Sequence, residues 1–155
     1  MYASARGFPR APCIWDLFEQ PDHEFLSILL TEPMPRYSAI LLDHFQHPRN
    51  LGRMDNPDGT ALVRNPICGD EMHLDLRIRE GIIVEARFLT RGCTAAIAAS
   101  SMVTEMVQGI NLERALAIGE EEIAEALGGL PAEKLHCSVL GCAAIRAAIT
   151  DYRSR

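Results

Sequence analysis

Between Met72 and Phe88 the chain alternates apolar and polar residues and reverses once, at Glu80-Gly81. Met72, Leu74, Leu76 and Ile78 alternate with His73, Asp75, Arg77 and Arg79; beyond the turn, Val84, Ala86 and Phe88 alternate with Glu85 and Arg87. A period of two sends successive side chains to opposite faces of a strand, so this stretch reads as a β-hairpin with one buried and one wet face. On that reading Asp75 and Glu85 are exposed and His73 is solvated. Thr60 to Arg64 reads as a third strand.

Helical spacing takes over on either side. Tyr37, Ile40, Leu41, His44 and Phe45 fall on one face of a helix that should stop near Pro48. His44 on that face is expected to be packed or capping rather than a ligand, and His47, before Pro48, to be solvated. The Ala- and Ser-rich run from Thr94 to Gln108 predicts a helix built for close packing. Two shorter helices, over 112 to 118 and 120 to 127, precede Gly128-Gly129, and a last one runs from Ser138 to Tyr152. Strands first and helices afterwards make an α+β domain, a small antiparallel three-stranded sheet packed with about five helices.

A chain of 155 residues holds one domain of ordinary size. Its one visible joint is Glu32-Pro33-Met34-Pro35-Arg36, where two prolines in three positions disfavour continuous helix. The joint divides an N-terminal extension, residues 1–35, from a domain spanning residues 36–155. In the extension Trp15, Phe18, Phe25, Leu26 and Leu29 recur at loosely helical spacing, interrupted by Pro21. We expect residues 1–33 to be dispensable, with Met34 as an alternative start; the rival is an added helix that docks Trp15, Phe18 and Leu29 on the core.

Composition closes off several classes. With 48% apolar and 23% charged residues the chain is neither disordered nor collagen-like. No apolar run approaches the 18 or so residues of a membrane span. A net charge of -6 lacks the basic footprint of a nucleic-acid binder. Five cysteines are an odd set, which argues against a complete disulfide framework, and no apolar segment follows Arg6 and Arg10 as a secretory signal would require. The expected compartment is the reducing cytoplasm, where cysteines more often bind metal or react than cross-link.

Three of the cysteines sit at the ends of elements. Cys68 lies in Pro66-Ile67-Cys68-Gly69-Asp70 before the alternating strand, Cys93 in Arg91-Gly92-Cys93-Thr94 where strand gives way to helix, and Cys137 in Lys134-Leu135-His136-Cys137-Ser138 at the start of the last helix. Thiols at helix N-termini feel the positive end of the dipole and are expected to lose protons more readily. The three could converge on one metal or reactive site, or be buried core thiols; spacing alone leaves the two readings level, since no C-x-x-C pair is present. Cys142 lies about 140° round a helix from Cys137 and is expected to point away from it. Lys134 is the chain's single lysine and sits two residues from His136.

Taken in order, Tyr37-Ser38, Asp43-His44-Phe45, Pro48-Arg49-Asn50 with Gly52, Cys68-Gly69-Asp70, Gly92-Cys93 with its Ala/Ser-rich helix, and Leu135-His136-Cys137-Ser138 resemble the iron-sulfur cluster assembly scaffolds of the IscU type, the NifU N-terminal domain family. The likeness runs over residues 36 to 153. It implies a SufE/NifU-like fold and a non-enzymatic scaffold on which a [2Fe-2S] cluster forms from iron and desulfurase-derived sulfur before transfer to acceptor apoproteins. Carried over residue by residue, the ligand set is Cys68, Asp70, Cys93, His136 and Cys137, with Cys137 the candidate persulfide acceptor. The implied partners are a cysteine desulfurase, an iron donor or frataxin-like protein and apo iron-sulfur acceptors. Arg49 and Asn50 match the family's turn and are read as structural or partner-facing, and the resemblance places Tyr37 at a mobile N-terminus.

The chain departs from the family at the chaperone-binding segment, which reads Leu130-Pro131-Ala132-Glu133-Lys134 in place of Leu-Pro-Pro-Val-Lys and leaves chaperone use open. Zinc accepts the same Cys, Asp and His ligands. The alternative reading is therefore a zinc-containing SufU-like acceptor that relays persulfide from a desulfurase without building a cluster. Retention of His136, which that branch lacks, places the chain nearer the IscU side.

Overall fold

The computed structural model of the chain describes residues 37–155. The expectations for residues 1–35, Cys13 included, lie outside the described residues.

Strands β1 (Gly59–Arg64), β2 (Glu71–Arg79) and β3 (Ile82–Arg91) form an antiparallel meander in that order. Ala61, Leu74 and Phe88 stand opposite one another across it. The hairpin between β2 and β3 turns on Glu80 and Gly81, with φ of 52° and 76°. Positive φ at both central residues gives a two-residue loop the twist its strands require. Met72, Leu74, Leu76, Ala86 and Phe88 are fully buried, as the alternation anticipates.

Val84 breaks the pattern. Arg77 pairs with Glu85 and Ile78 with Ile83, so Val84 is the extra residue of a β-bulge. The bulge turns Ile83 into the core, at 0% exposure, and leaves Val84 46% exposed, which corrects the inward placement expected from strict alternation.

Among the described residues five α-helices surround the sheet: α1 (Ala39–Gln46), α2 (Thr94–Val107), α3 (Leu112–Leu116), α4 (Glu120–Ala126) and α5 (His136–Ser154), with a single 3-10 turn over Ala132–Lys134. Helix α5 packs on β1 and β2 and α2 on β3, while α1 lies against α2 and both α3 and α4 against α5. Close packing follows from small side chains. Ala95, Ala96, Ala98 and Ala99 of α2 are buried, and a Cβ on Gly141 of α5 would stand 2.7 Å from the Val103 side chain.

Helix α1 begins where Ser38 accepts the Leu41 N–H at 3.0 Å and its hydroxyl donates to the Leu127 carbonyl. Only Leu41 and His44 of this helix are buried, whereas Ile40, Leu42 and Phe45 are exposed, so the apolar face expected from its spacing is only partly covered. His44 is packed, as expected. Its Nδ1 lies 2.8 Å from Ser101 Oγ, which also accepts the Arg49 backbone N–H at 2.8 Å. Arg49 and Asn50 form the turn after α1; Asn50 takes φ 58° and donates from its side chain to Thr104 Oγ1 at 3.0 Å.

Asp75 corrects a second expectation. It lies on the polar face of β2 yet is fully buried, because the segment after Asn50 folds over that face. Arg53 Nε at 2.8 Å, the Met54 N–H at 3.0 Å and the Thr60 hydroxyl at 2.7 Å all donate to its carboxylate. Burial alone would raise its pKa; those three donors outweigh burial and hold it below the usual carboxylate range. His73 is also mostly covered rather than solvated, with Nδ1 3.4 Å from Asp75. His47 is solvated as expected, within reach of Asp43 at 3.1 Å.

The approach of α5 to β1 is set at Gly59, where a Cβ would stand 2.4 Å from the Ala148 carbonyl oxygen. A backbone atom cannot swing aside as a side chain can. Gly59→Ala is therefore expected to lower unfolding free energy by about 3 kcal/mol, the upper range for overpacking, as read from denaturant midpoints at unchanged slope.

Candidate metal centre

Three junctions meet at one end of the sheet. The first is the β1–β2 loop, whose form is set by Asn65. Its backbone N–H donates to the Asp70 carbonyl at 2.8 Å, its carbonyl accepts the Gly69 N–H at 2.8 Å, and its side-chain oxygen accepts the Ile67 N–H at 2.9 Å. Gly69 takes φ 73°, a left-handed conformation open to glycine at little cost. The loop leaves Cys68 exposed and turns Asp70 inward, to 7% exposure.

The second junction is the passage from β3 into α2. Cys93 is the N-cap residue of α2 and its carbonyl accepts the Ile97 N–H at 3.1 Å. The third is the start of α5, which begins at His136, two residues earlier than the sequence suggests. His136 and Cys137 thus occupy its first turn, directly after the 3-10 turn that carries Lys134. The Asn65 side chain donates to the His136 carbonyl at 3.4 Å, tying the first junction to the third.

All five candidate ligands come together as two overlapping triads. The ligand atoms of Cys68, Asp70 and His136 lie within 4.8 Å of one another, and so do those of Asp70, Cys93 and Cys137. Asp70 belongs to both. Cys93 Sγ is 3.8 Å from Asp70 Oδ2 and 3.7 Å from Cys137 Sγ. Two thiolates bound at about 2.3 Å to one tetrahedral ion stand about 3.8 Å apart, so the Cys93–Cys137 spacing suits a shared ion without rearrangement.

Electrostatics set the resting protonation. Burial pushes the Cys137 thiol up to about 12, with Cys93, Asp70 and Cys68 adding to the effect. Cys68 is also raised, by desolvation first and by the Asp70 carboxylate, against the opposing effect of the Asp70 backbone N–H. The expectation that helix N-termini would ease thiol ionisation here is overturned for Cys137, since burial and neighbouring anions outweigh the dipole. A metal ion must displace that proton, so binding releases protons. Proximity to Cys93 raises the Lys134 ammonium above the usual lysine range, and burial raises the Tyr37 phenol against the opposing pull of Lys134.

Cys142 is not part of the cluster. It is 2% exposed, and its thiol donates to the Ile118 carbonyl at 3.6 Å. Asn65 is the site residue that the motif reading missed; the available signal was Asn-Pro, a turn initiator, directly upstream of Cys68. Asn65→Ala is expected to cost about 1–2 kcal/mol of stability, for a lost buried hydrogen-bonding side chain. It should also weaken Co(II) binding about tenfold by freeing the Cys68 loop, which optical titration against a competing chelator would measure.

Comparison with known proteins places these junctions in a wider set. The profile of the NifU-like N terminal domain matches residues 36–155. Iron-sulfur cluster assembly scaffold protein IscU 1 of Archaeoglobus fulgidus is 50% identical over 116 residues, 75% of this chain and 76% of its own length. The iron-sulfur cluster assembly scaffold protein IscU of Escherichia coli is 50% identical over 123 residues, 77% of this chain and 95% of its own. Among solved structures, a nitrogen-fixing NifU-like protein (N-terminal) from Brucella abortus superposes with TM-score 0.61 at 18% identity, covering 76% of this chain and 94% of that one, a likeness of fold.

Proposed function

The chain belongs to the NifU-like N-terminal domain family, and from that membership and the two triads we propose that it is a scaffold for iron-sulfur cluster assembly. It takes sulfur from a cysteine desulfurase and iron from a donor, holds a [2Fe-2S] cluster, and passes it to apoproteins. The supporting observation is the convergence of Cys68, Asp70, Cys93, His136 and Cys137 into two triads sharing Asp70. Cys93 and Cys137 would hold one iron, and Cys68 with Asp70 or His136 the other. The donor set fits this cargo: thiolates are the usual cluster ligands, and one oxygen or nitrogen ligand changes the charge and potential of the site. The carrier role asks no bond chemistry of the protein beyond accepting persulfide sulfur. Cys137 would accept it only after its buried thiol is uncovered, because the residue is 1% exposed.

The scaffold is carried by residues 36–155, and residues 1–33 are dispensable for it. None of the helices in the described residues is long and apolar enough to cross a membrane, and we place the protein in the cytoplasm. Zinc in purified protein would occupy the same thiolates, as their spacing allows.

Anaerobic incubation with ferrous iron, a cysteine desulfurase and excess cysteine, which is both the sulfur source and the thiol that reduces persulfide to sulfide, tests the proposal. Bound iron and sulfide in equal amounts, with visible absorption of a [2Fe-2S] centre, are expected. Persulfide on the chain with zinc retained and no bound iron would instead identify a sulfur relay and overturn the scaffold reading.

A further inference from the structure

Gly92 immediately precedes Cys93, and its backbone does not take positive φ, so its conformation makes no demand for glycine. The space around it does. A Cβ at position 92 would stand 2.8 Å from Asp70 Cγ, 2.9 Å from Asp70 Oδ1 and 3.0 Å from the Ala96 methyl. Real Cβ atoms do not approach carboxylate atoms so closely, and this carboxylate has little room to retreat. It is 7% exposed, 3.8 Å from Cys93 Sγ, and shared between the two triads.

We infer that Gly92 is a positioning residue: by lacking a side chain it leaves the space in which the Asp70 carboxylate reaches both triads. The inference rests on the proposed role of the cluster as a metal-binding site, but it concerns the geometry of Asp70 and not the identity of the metal. A methyl group at position 92 displaces the carboxylate while the three thiols keep their places. Gly92→Ala then acts through Asp70 and resembles Asp70→Ala, although Asp70 itself is unchanged. Removing the carboxylate also removes two of the three close contacts, so the same methyl should be accepted once residue 70 is alanine.

A double-mutant cycle with Co(II) as the probe tests this. Co(II) reports its ligands by visible absorption and needs neither sulfide nor desulfurase, so a chain that binds Co(II) but fails to build a cluster would refute the scaffold reading and leave this inference standing. Gly92→Ala is expected to shift the Co(II) bands and change the rate of Co(II) release to a chelator about tenfold, in the same direction as Asp70→Ala. In the Asp70→Ala background it should change that rate by less than about twofold, the tolerance within which independent effects add. An equal change in both backgrounds, or no change in either, overturns the inference. Should Gly92→Ala alone fail to fold while the double variant folds, the collision with Asp70 is demonstrated directly; failure of both places the collision elsewhere and overturns it.

Discussion

Serine at Cys93 or Cys137 is expected to abolish stable cluster assembly and to weaken Co(II) binding by more than about 100-fold, beyond the range that loss of an outer-shell partner produces. The two sulfurs lie 3.7 Å apart, so they form the pair able to share one ion. A serine hydroxyl is a poor ligand at neutral pH, and the partner thiol is left with Asp70 as the one other strong ligand of its triad. Cys68→Ser should also impair assembly, with a smaller loss of Co(II) affinity, because Cys68 is exposed and a water molecule can take its place. Cys142→Ser should assemble like the unmodified chain, its thiol being engaged with the Ile118 carbonyl away from the cluster, and so should Cys13→Ser. Failure of Cys142→Ser to assemble, in a protein that unfolds at the usual denaturant concentration, would show the ligand set to be wrong.

Asp70→Ala should retain its cluster about tenfold longer than the unmodified chain and transfer it correspondingly more slowly. The carboxylate belongs to both triads, so it crowds negative charge against three thiolates and offers an oxygen that exchanges readily. Alanine removes the repulsion and closes a route by which solvent or an incoming thiol reaches the metal. Cluster decay under a chelator and transfer to an apo-ferredoxin, run in parallel, measure the two effects. Faster transfer from Asp70→Ala would mean that the carboxylate holds the cluster rather than loosens it.

Much of the fold was legible because period two is a direct consequence of strand geometry, and β2 buries Met72, Leu74, Leu76 and Ile78 as the alternation requires. The bulge at Val84 was not, since it depends on the register of the opposite strand. The burial of Asp75 was not either: its partners Arg53 and Thr60 are remote in sequence, and only the folded segment brings them together. At the site, residue types at three junctions leave the thiols open between a metal site and core packing, and it is the family resemblance that supplies the five ligand candidates; the helix-dipole argument misjudges the electrostatics of Cys137. The helix-dipole argument for Cys137 is local, but its pKa is set by burial under the packed domain. The roles of Asn65 and Gly92 are likewise spatial. One ties a loop to a helix start, and the other supplies an absence of atoms that no single-residue signal announces.

Transfer of the assembled cluster to an apo-ferredoxin in the presence of excess EDTA tests the central account most directly. A scaffold that hands its cluster over by ligand exchange should give ferredoxin absorption at an undiminished rate and yield, because iron and sulfide never enter solution. Loss of ferredoxin formation on adding EDTA, with iron recovered as the chelate, would contradict it: the chain would then store iron without delivering a cluster.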